Sequence, residues 1–216
     1  FFQLSMKLIK ENKYLVIEVP DLNELLRRGS FDTIYHEHVN YFSIKVLKEL
    51  GERFGFNLIK WAETDYMCGS IRAFFVKGGR KSMVPDMEVN SQPERFNKLS
   101  KKMKNIKIKL LSDISCLRLK GERVIGLGAA TKGNTLLNYV GLDTDMVEYI
   151  CDHTQLKVGK FAPGSLIEII HDDDLPADAK NALILPSNLS GLLKEKFSDK
   201  IENFIEPLAA GYVDET

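Results

Sequence analysis

The stretch ERVIGLGAATKGNTLLNYVGL, Glu122–Leu142, decides the fold. A short apolar run, ERVIGLG, ends in glycine, and GNTLLNYVGL then carries apolar residues at helical spacing. That is a strand turning into a helix. The pattern repeats outward. MVEYICD reads as a strand ending in Asp152, LIEII as a short strand, and NALILPSN as a strand ending in Ser187 and Asn188. SGLLKEKFSDKI reads as a helix and NFIEPL as a last strand. Strands alternating with helices predict an α/β fold with a mostly parallel, Rossmann-like sheet over residues 121–216.

Upstream, Glu94–Lys120 places Phe96, Leu99, Met103, Ile106, Leu110, Ile114 and Leu117 in steps of three and four, one stripe of a packing helix. The Gly- and Pro-bearing stretch KGGRKSMVPDMEVNSQP before it marks a boundary, so residues 81–120 read as linker and helix. Residues 1–80 are expected to hold a buried strand, Tyr14–Val19, and a helix from Ile44 to Phe54 with apolar Val46, Leu47, Leu50 and Phe54. Two strand-like runs, NLIKWAET and SIRAFFVKG, pair across DYMCG. The chain opens on the end of a helix and reads as a piece of a longer protein.

Composition narrows the classes. Of 216 residues 44% are hydrophobic and 28% charged, with 30 basic against 30 acidic side chains. Balanced charge argues against a general nucleic-acid or membrane surface. No apolar run approaches the roughly 20 residues of a membrane span. Cys68, Cys116 and Cys151 are scattered, which is no disulfide framework and fits a cytoplasmic protein.

Three connections carry chemistry-bearing residues. In Gly126–Asn134 the glycines admit a ligand near the backbone, and Asp152 ends the next strand, where a ribose-binding acid would stand. The match is imperfect. Thr131 takes the third glycine position of GxGxxG, and Lys132 precedes Gly133, so it is no Walker loop. A nucleotide cradle and a tight turn without ligand both remain open. The loop Asp152–Gly164, with Lys157 and Lys160, lines a ligand crevice or is a solvated loop. FDTIYHEHVNYFS, Phe31–Ser43, holds Tyr35, His36, Glu37 and His38. It reads as a metal pair, an acid/base site or a polar loop. His36 and His38 share a face if extended. No HExxH spacing or ligand cluster accompanies them, so no metal is assigned. Histidine beside a carboxylate suits proton transfer near neutral pH.

Three phrases together resemble one family: EVPDL…YHEHVNYFS, GLGAATKGNTLLNYVGL and CDHTQLKVGKFAPGSLIEI, in that order. They look like the sugar C-methyltransferases that act on nucleotide-linked deoxysugars. The resemblance implies an N-terminal zinc-binding segment, a central S-adenosylmethionine (SAM) domain and a C-terminal Rossmann-like domain. Residues 1–80 would then be the end of the class I methyltransferase sheet. The SAM loop and zinc site would lie upstream, and this fragment alone would be inactive. One departure stands out. The family strand near Leu185 commonly ends in Trp-Asn, and here Pro186-Ser187-Asn188 follows, which puts any contact of that tryptophan in question.

The chemistry implied is removal of a proton beside the ketone of a 4-keto-deoxysugar, followed by methyl transfer. By resemblance His38 is the base, Glu37 positions the sugar or the base, Tyr35 bonds the sugar or its phosphate, and His36 is a second base or an oxyanion donor. Lys132, Asn134, Asp152 and Lys157 would hold the nucleotide end. The partner implied is a nucleotide-linked sugar; oligomeric state stays open. The rival readings are a nucleotide-binding module without catalysis and an NAD-dependent oxidoreductase.

Overall fold

The computed structural model describes residues 1–66, 69–79 and 92–213. The boundary expected within Lys77–Pro93 falls mostly outside the described residues, as does Cys68. The chain divides into two compact units. One is built from Phe1–Arg28 and Val39–Phe96, the other from Gly29–His38 and Asn97–Thr216.

The first unit is a three-stranded antiparallel sheet. Its elements are helix α1 (Phe2–Leu8), strand β1 (Tyr14–Pro20), helix α2 (Leu22–Arg28), helix α3 (Ile44–Arg53), β2 (Phe56–Thr64) and β3 (Ser70–Lys77). The order is β1-β3-β2, with Ile17 opposite Ala73 and Trp61 opposite Ala73 from the other side. One face packs Leu15, Phe56, Leu58, Ile71, Ala73 and Phe75 against Ile44 and Leu47 of α3. Gly51 lets the helix come close, since a Cβ there would stand 2.4 Å from the Phe75 ring. Ser43 caps α3 by accepting from the Val46 N–H.

Three expectations change here. Tyr14–Val19 is not a buried strand. It is an edge strand, with Tyr14 67% and Val16 51% exposed while Leu15 is buried. Period-two alternation buries one face only. Helix α3 turns Ile44, Leu47 and Gly51 inward and leaves Val46 and Phe54 exposed, so the buried stripe is offset from the one expected. Helix α2 is additional. Two of its three leucines, Leu25 and Leu26, are buried, and Glu24 accepts from both Arg27 and Arg28.

The second unit contains a five-stranded, all-parallel sheet. Helix α4 (Gln92–Leu119) leads into it. Leu99, Ile106, Leu110 and Ile114 of the expected stripe are buried and Met103 and Leu117 half-buried, while Phe96 at its start is 45% exposed. Then follow β4 (Val124–Leu127), helix α5 (Thr131–Val140), β5 (Tyr149–Cys151), β6 (Glu168–Ile170), β7 (Asn181–Ile184), helix α6 (Ser190–Phe197) and β8 (Asn203–Ile205). The order is β6-β5-β4-β7-β8, so the first strand lies in the middle and the chain winds outward both ways. That is the order of doubly wound α/β sheets, with the switch point beside β4. All four residues of β4 and all four of β7 are buried, as strands covered on both faces must be. Each fully buried leucine or isoleucine there stabilises the sheet by about 2 kcal/mol. No helix of the described residues is long and apolar enough to cross a membrane.

Candidate functional site

Of the three connections singled out in the sequence, Gly126–Asn134 and Asp152–Gly164 lie in the second unit, and so does the histidine stretch as far as His38. Gly29–His38 groups with it although residues on either side belong to the first. Phe31–Thr33 makes a short 3₁₀ turn, and all three residues are buried. The Phe31 ring meets Tyr139 of α5 edge-on at 5.1 Å. The next four residues, Tyr35 to His38, form a tight turn closed by the His38 N–H donating to the Tyr35 carbonyl at 2.9 Å.

This turn separates the two histidines. His36 and Glu37 take its corners and are exposed. His38 folds back instead, its ring 4.2 Å from that of Tyr35. The shared face expected of His36 and His38 required extended backbone, which the turn replaces. The His38 contacts assign its tautomer. Nδ1 lies 2.8 Å from the Thr33 carbonyl oxygen, which can only accept, so Nδ1 carries the hydrogen. In the neutral ring Nε2 then holds the lone pair, 3.1 Å from the Tyr35 hydroxyl. The turn thus brings together Tyr35 and His38 and presents a basic imidazole nitrogen. Among the described residues no group of three or more His, Cys, Asp or Glu is placed to hold a metal ion.

The glycine connection is organised differently. Gly128 has φ +84°, and a Cβ there would stand 2.7 Å from Pro186. A Cβ at Gly133 would stand 2.7 Å from that of Leu185, and one at Gly126 would meet Ile150 and Leu185 at 3.0 Å. These glycines make room for the chain itself. Asp152 closes the loop: its carboxylate accepts from the Ala129 N–H at 2.8 Å, the Thr154 N–H at 2.9 Å and Lys157 Nζ at 3.0 Å. Burial works to raise the Asp152 pKa, and the bonds from Thr154 and Lys157 overcome it, leaving the carboxyl below its usual value. Asp152 and Lys157 are therefore brought together as a pair. Asn134 is half-buried, and its carbonyl accepts from the Asn138 amide at 2.7 Å. Such a loop does not fit SAM. Its glycine space is filled by Pro186 and Leu185, and the acid that would meet a ribose is bonded within the loop.

Lys132 joins a group that the sequence reading did not single out. It is 5% exposed, and its charge acts on Asp32, which is fully buried. Ser187 Oγ donates to Asp32 Oδ2 at 3.1 Å. Burial pushes the Asp32 carboxyl up, and Lys132 and Ser187 offset only part of the rise. Asp32 stood inside the quoted histidine stretch, and Ser187 inside the segment that departs from the family pattern. Neither the 155-residue separation nor the burial can be read from local spacing.

A family model described as the C-methyltransferase C-terminal domain matches residues 84–207. The chain is also 33% identical over 163 residues to the C-methyltransferase NovU of Streptomyces niveus, covering 71% of this chain and 39% of that protein. It therefore spans about two fifths of the length of that relative. The parallel-sheet unit lies largely within the matched residues, and the chain belongs to the C-methyltransferase family.

Proposed function

We propose that this chain is the C-terminal part of a SAM-dependent C-methyltransferase acting on a nucleotide-linked 4-keto-deoxysugar, and that it supplies the base. The observation that carries the reading is the His38 geometry. Nδ1–H is tied to the Thr33 carbonyl, so Nε2 is the proton acceptor. A proton on the carbon beside a ketone needs a base of near-neutral pKa within hydrogen-bond reach. Nε2 takes that proton, and the electron pair moves into the ketone as an enolate. The enolate carbon is the nucleophile. Bound SAM offers an electrophilic methyl group; its site belongs to the upstream part of the enzyme, because the glycine loop here does not fit it.

The other groups follow from position. The Tyr35 hydroxyl holds Nε2 in the absence of substrate and turns to the sugar or its phosphate when substrate enters. Glu37 and His36, exposed at the corners of the turn, reach the sugar hydroxyls and the keto oxygen. Asn134, in the first turn of α5, faces the nucleotide end, the buried Lys132 two residues before it acts on Asp32, and the Asp152–Lys157 pair shapes the loop that borders that end. The unpaired outer edge of β1 fits a sheet whose earlier strands lie upstream, as in a methyltransferase domain ending near residue 80.

The strand order of the parallel sheet favours one alternative, a nucleotide-binding module without its own chemistry. One assay separates the two. The full-length enzyme is incubated with SAM and a nucleotide-linked 4-keto-6-deoxysugar, wild type beside His38→Ala, and product mass is read. The expected result is a gain of one methyl in the wild type and a loss of 10²-fold or more in rate in the variant, with sugar binding kept, a size typical of acid–base residues. Methylation that survives at the wild-type rate moves the base elsewhere. No methylation of any such sugar leaves the binding module.

A further inference from the structure

The carbonyl that sets the His38 tautomer belongs to Thr33, and the turn carrying it is clamped by the parallel-sheet unit. Phe31, Asp32 and Thr33 are 1%, 0% and 6% exposed. Thr33 also ties its hydroxyl to the Ser30 carbonyl at 2.7 Å. Asp32, one peptide before Thr33, accepts from Ser187 Oγ, which stands just beyond the end of β7. Its other oxygen, Oδ1, is buried with no hydrogen-bond partner among the described residues.

A buried carboxylate with an orphan oxygen is costly to the fold. Folding alone would be served better by an apolar or amide side chain there. A cost of this kind, two residues from an expected catalytic turn, points to function.

We propose that Asp32 and Ser187 are positioning residues for the base. The Ser187–Asp32 bond fastens the Phe31–Thr33 turn to the end of β7. Through it the Thr33 carbonyl stays aligned on His38 Nδ1, and Nε2 is kept as the acceptor nitrogen. One task of the parallel-sheet unit is then to hold the imidazole still while the proton moves. The inference rests on His38 being the base and adds what orients it.

The test isolates the proton step. The full-length enzyme is placed in D₂O with a nucleotide-linked 4-keto-6-deoxyhexose and no SAM. The base removes the proton beside the ketone, exchanges it with solvent and returns a deuteron, and mass spectrometry follows the gain. Ser187→Ala removes the donor while leaving Asp32 in place. The expected result is an exchange rate and a kcat each about tenfold lower, with KM for the sugar within twofold of wild type, in line with loss of alignment rather than binding. Ser187→Thr, which restores a hydroxyl, should recover most of the rate, whereas Asp32→Asn, which loses the charged acceptor, should lower it as Ser187→Ala does. Circular dichroism melts check that every variant is folded.

His38→Ala separates the two claims. Exchange that persists in His38→Ala overturns the base assignment, whatever Ser187 does. Exchange lost in His38→Ala but within twofold of wild type in Ser187→Ala overturns the positioning role alone. Equal losses in Ser187→Ala and Ser187→Thr overturn it too, because the hydroxyl would then not be what matters.

Discussion

Asp32 and Asp152 are both buried in the parallel-sheet unit, and their surroundings treat them in opposite ways. Asp152 has donors on both oxygens: two backbone N–H groups and a lysine. Asp32 has one serine hydroxyl on one oxygen and a lysine charge nearby, and its other oxygen has no hydrogen-bond partner among the described residues. The first is lowered in pKa and the second raised. The difference teaches where to look for chemistry. A carboxylate whose bonds are all met by its own loop is part of the scaffold. One that the fold keeps at a loss, one peptide before the carbonyl that holds His38 Nδ1, is a candidate for a part in the proposed reaction.

The sharpest way to break this comparison is at Gly128, beside the Asp152 loop. If the glycine loop is scaffold, Gly128→Ala forces a left-handed residue against Pro186 2.7 Å away. Backbone strain of about 1–2 kcal/mol and overpacking of about 1–3 kcal/mol add to a loss of about 3 kcal/mol. Urea unfolding of the chain measures it. A variant of unchanged stability that has lost sugar-nucleotide affinity would return the loop to ligand binding.

Asp152→Asn comes next. Replacing a carboxylate that receives three donors should cost about 2 kcal/mol, after discounting the 41% exposed Lys157 side chain for solvent screening. The pH profile carries the same sign. The folded pKa lies below the ordinary aspartate value of 3.8, so the stabilisation is fully present above that value and fades as pH falls beneath it. Wild type should lose stability below about pH 4 more steeply than Asp152→Asn. Parallel acid-unfolding curves for the two would show the reverse of the assigned bonding.

Much of the fold was legible because it obeys periodicity. The α4 stripe of Leu99, Ile106, Leu110 and Ile114 and the alternation from Val124 onward depend on local spacing, and every strand expected there is found. Tyr14–Val19 was misread as buried because β-branched composition does not report whether one face or two are covered. Helix α2 is only seven residues, too short to show a period. At the candidate site the residue types were visible, but the turn that parts His36 from His38 was not. It depends on Phe31, Asp32 and Thr33 being buried against residues more than a hundred positions later. Pairings of that kind follow from tertiary packing, which single-sequence spacing cannot report.

Asp32→Asn is where the smallest stability change and the clearest contrast are expected. Burial raises the Asp32 pKa above 3.8 and Lys132 only partly offsets it, so the fold prefers the protonated form. The linkage then runs opposite to that of Asp152. Whatever stability the protonated group adds is present below pH 3.8 and is lost as pH rises through the folded pKa. In its charged form Asp32 is a net cost to the fold. An amide of the same shape removes that cost but also removes the attraction between the carboxylate and Lys132, and the two changes oppose each other. The expected balance is a variant within about 1 kcal/mol of wild type, against about 2 kcal/mol lost in Asp152→Asn. Thermal unfolding of both at pH 7 and pH 4 decides it. Equal and large losses in the two variants would place Asp32 in the scaffold with Asp152. A near-neutral Asp32→Asn beside a destabilised Asp152→Asn would mean that the fold can do without the Asp32 charge, and that its presence must be explained by the histidine it stands near.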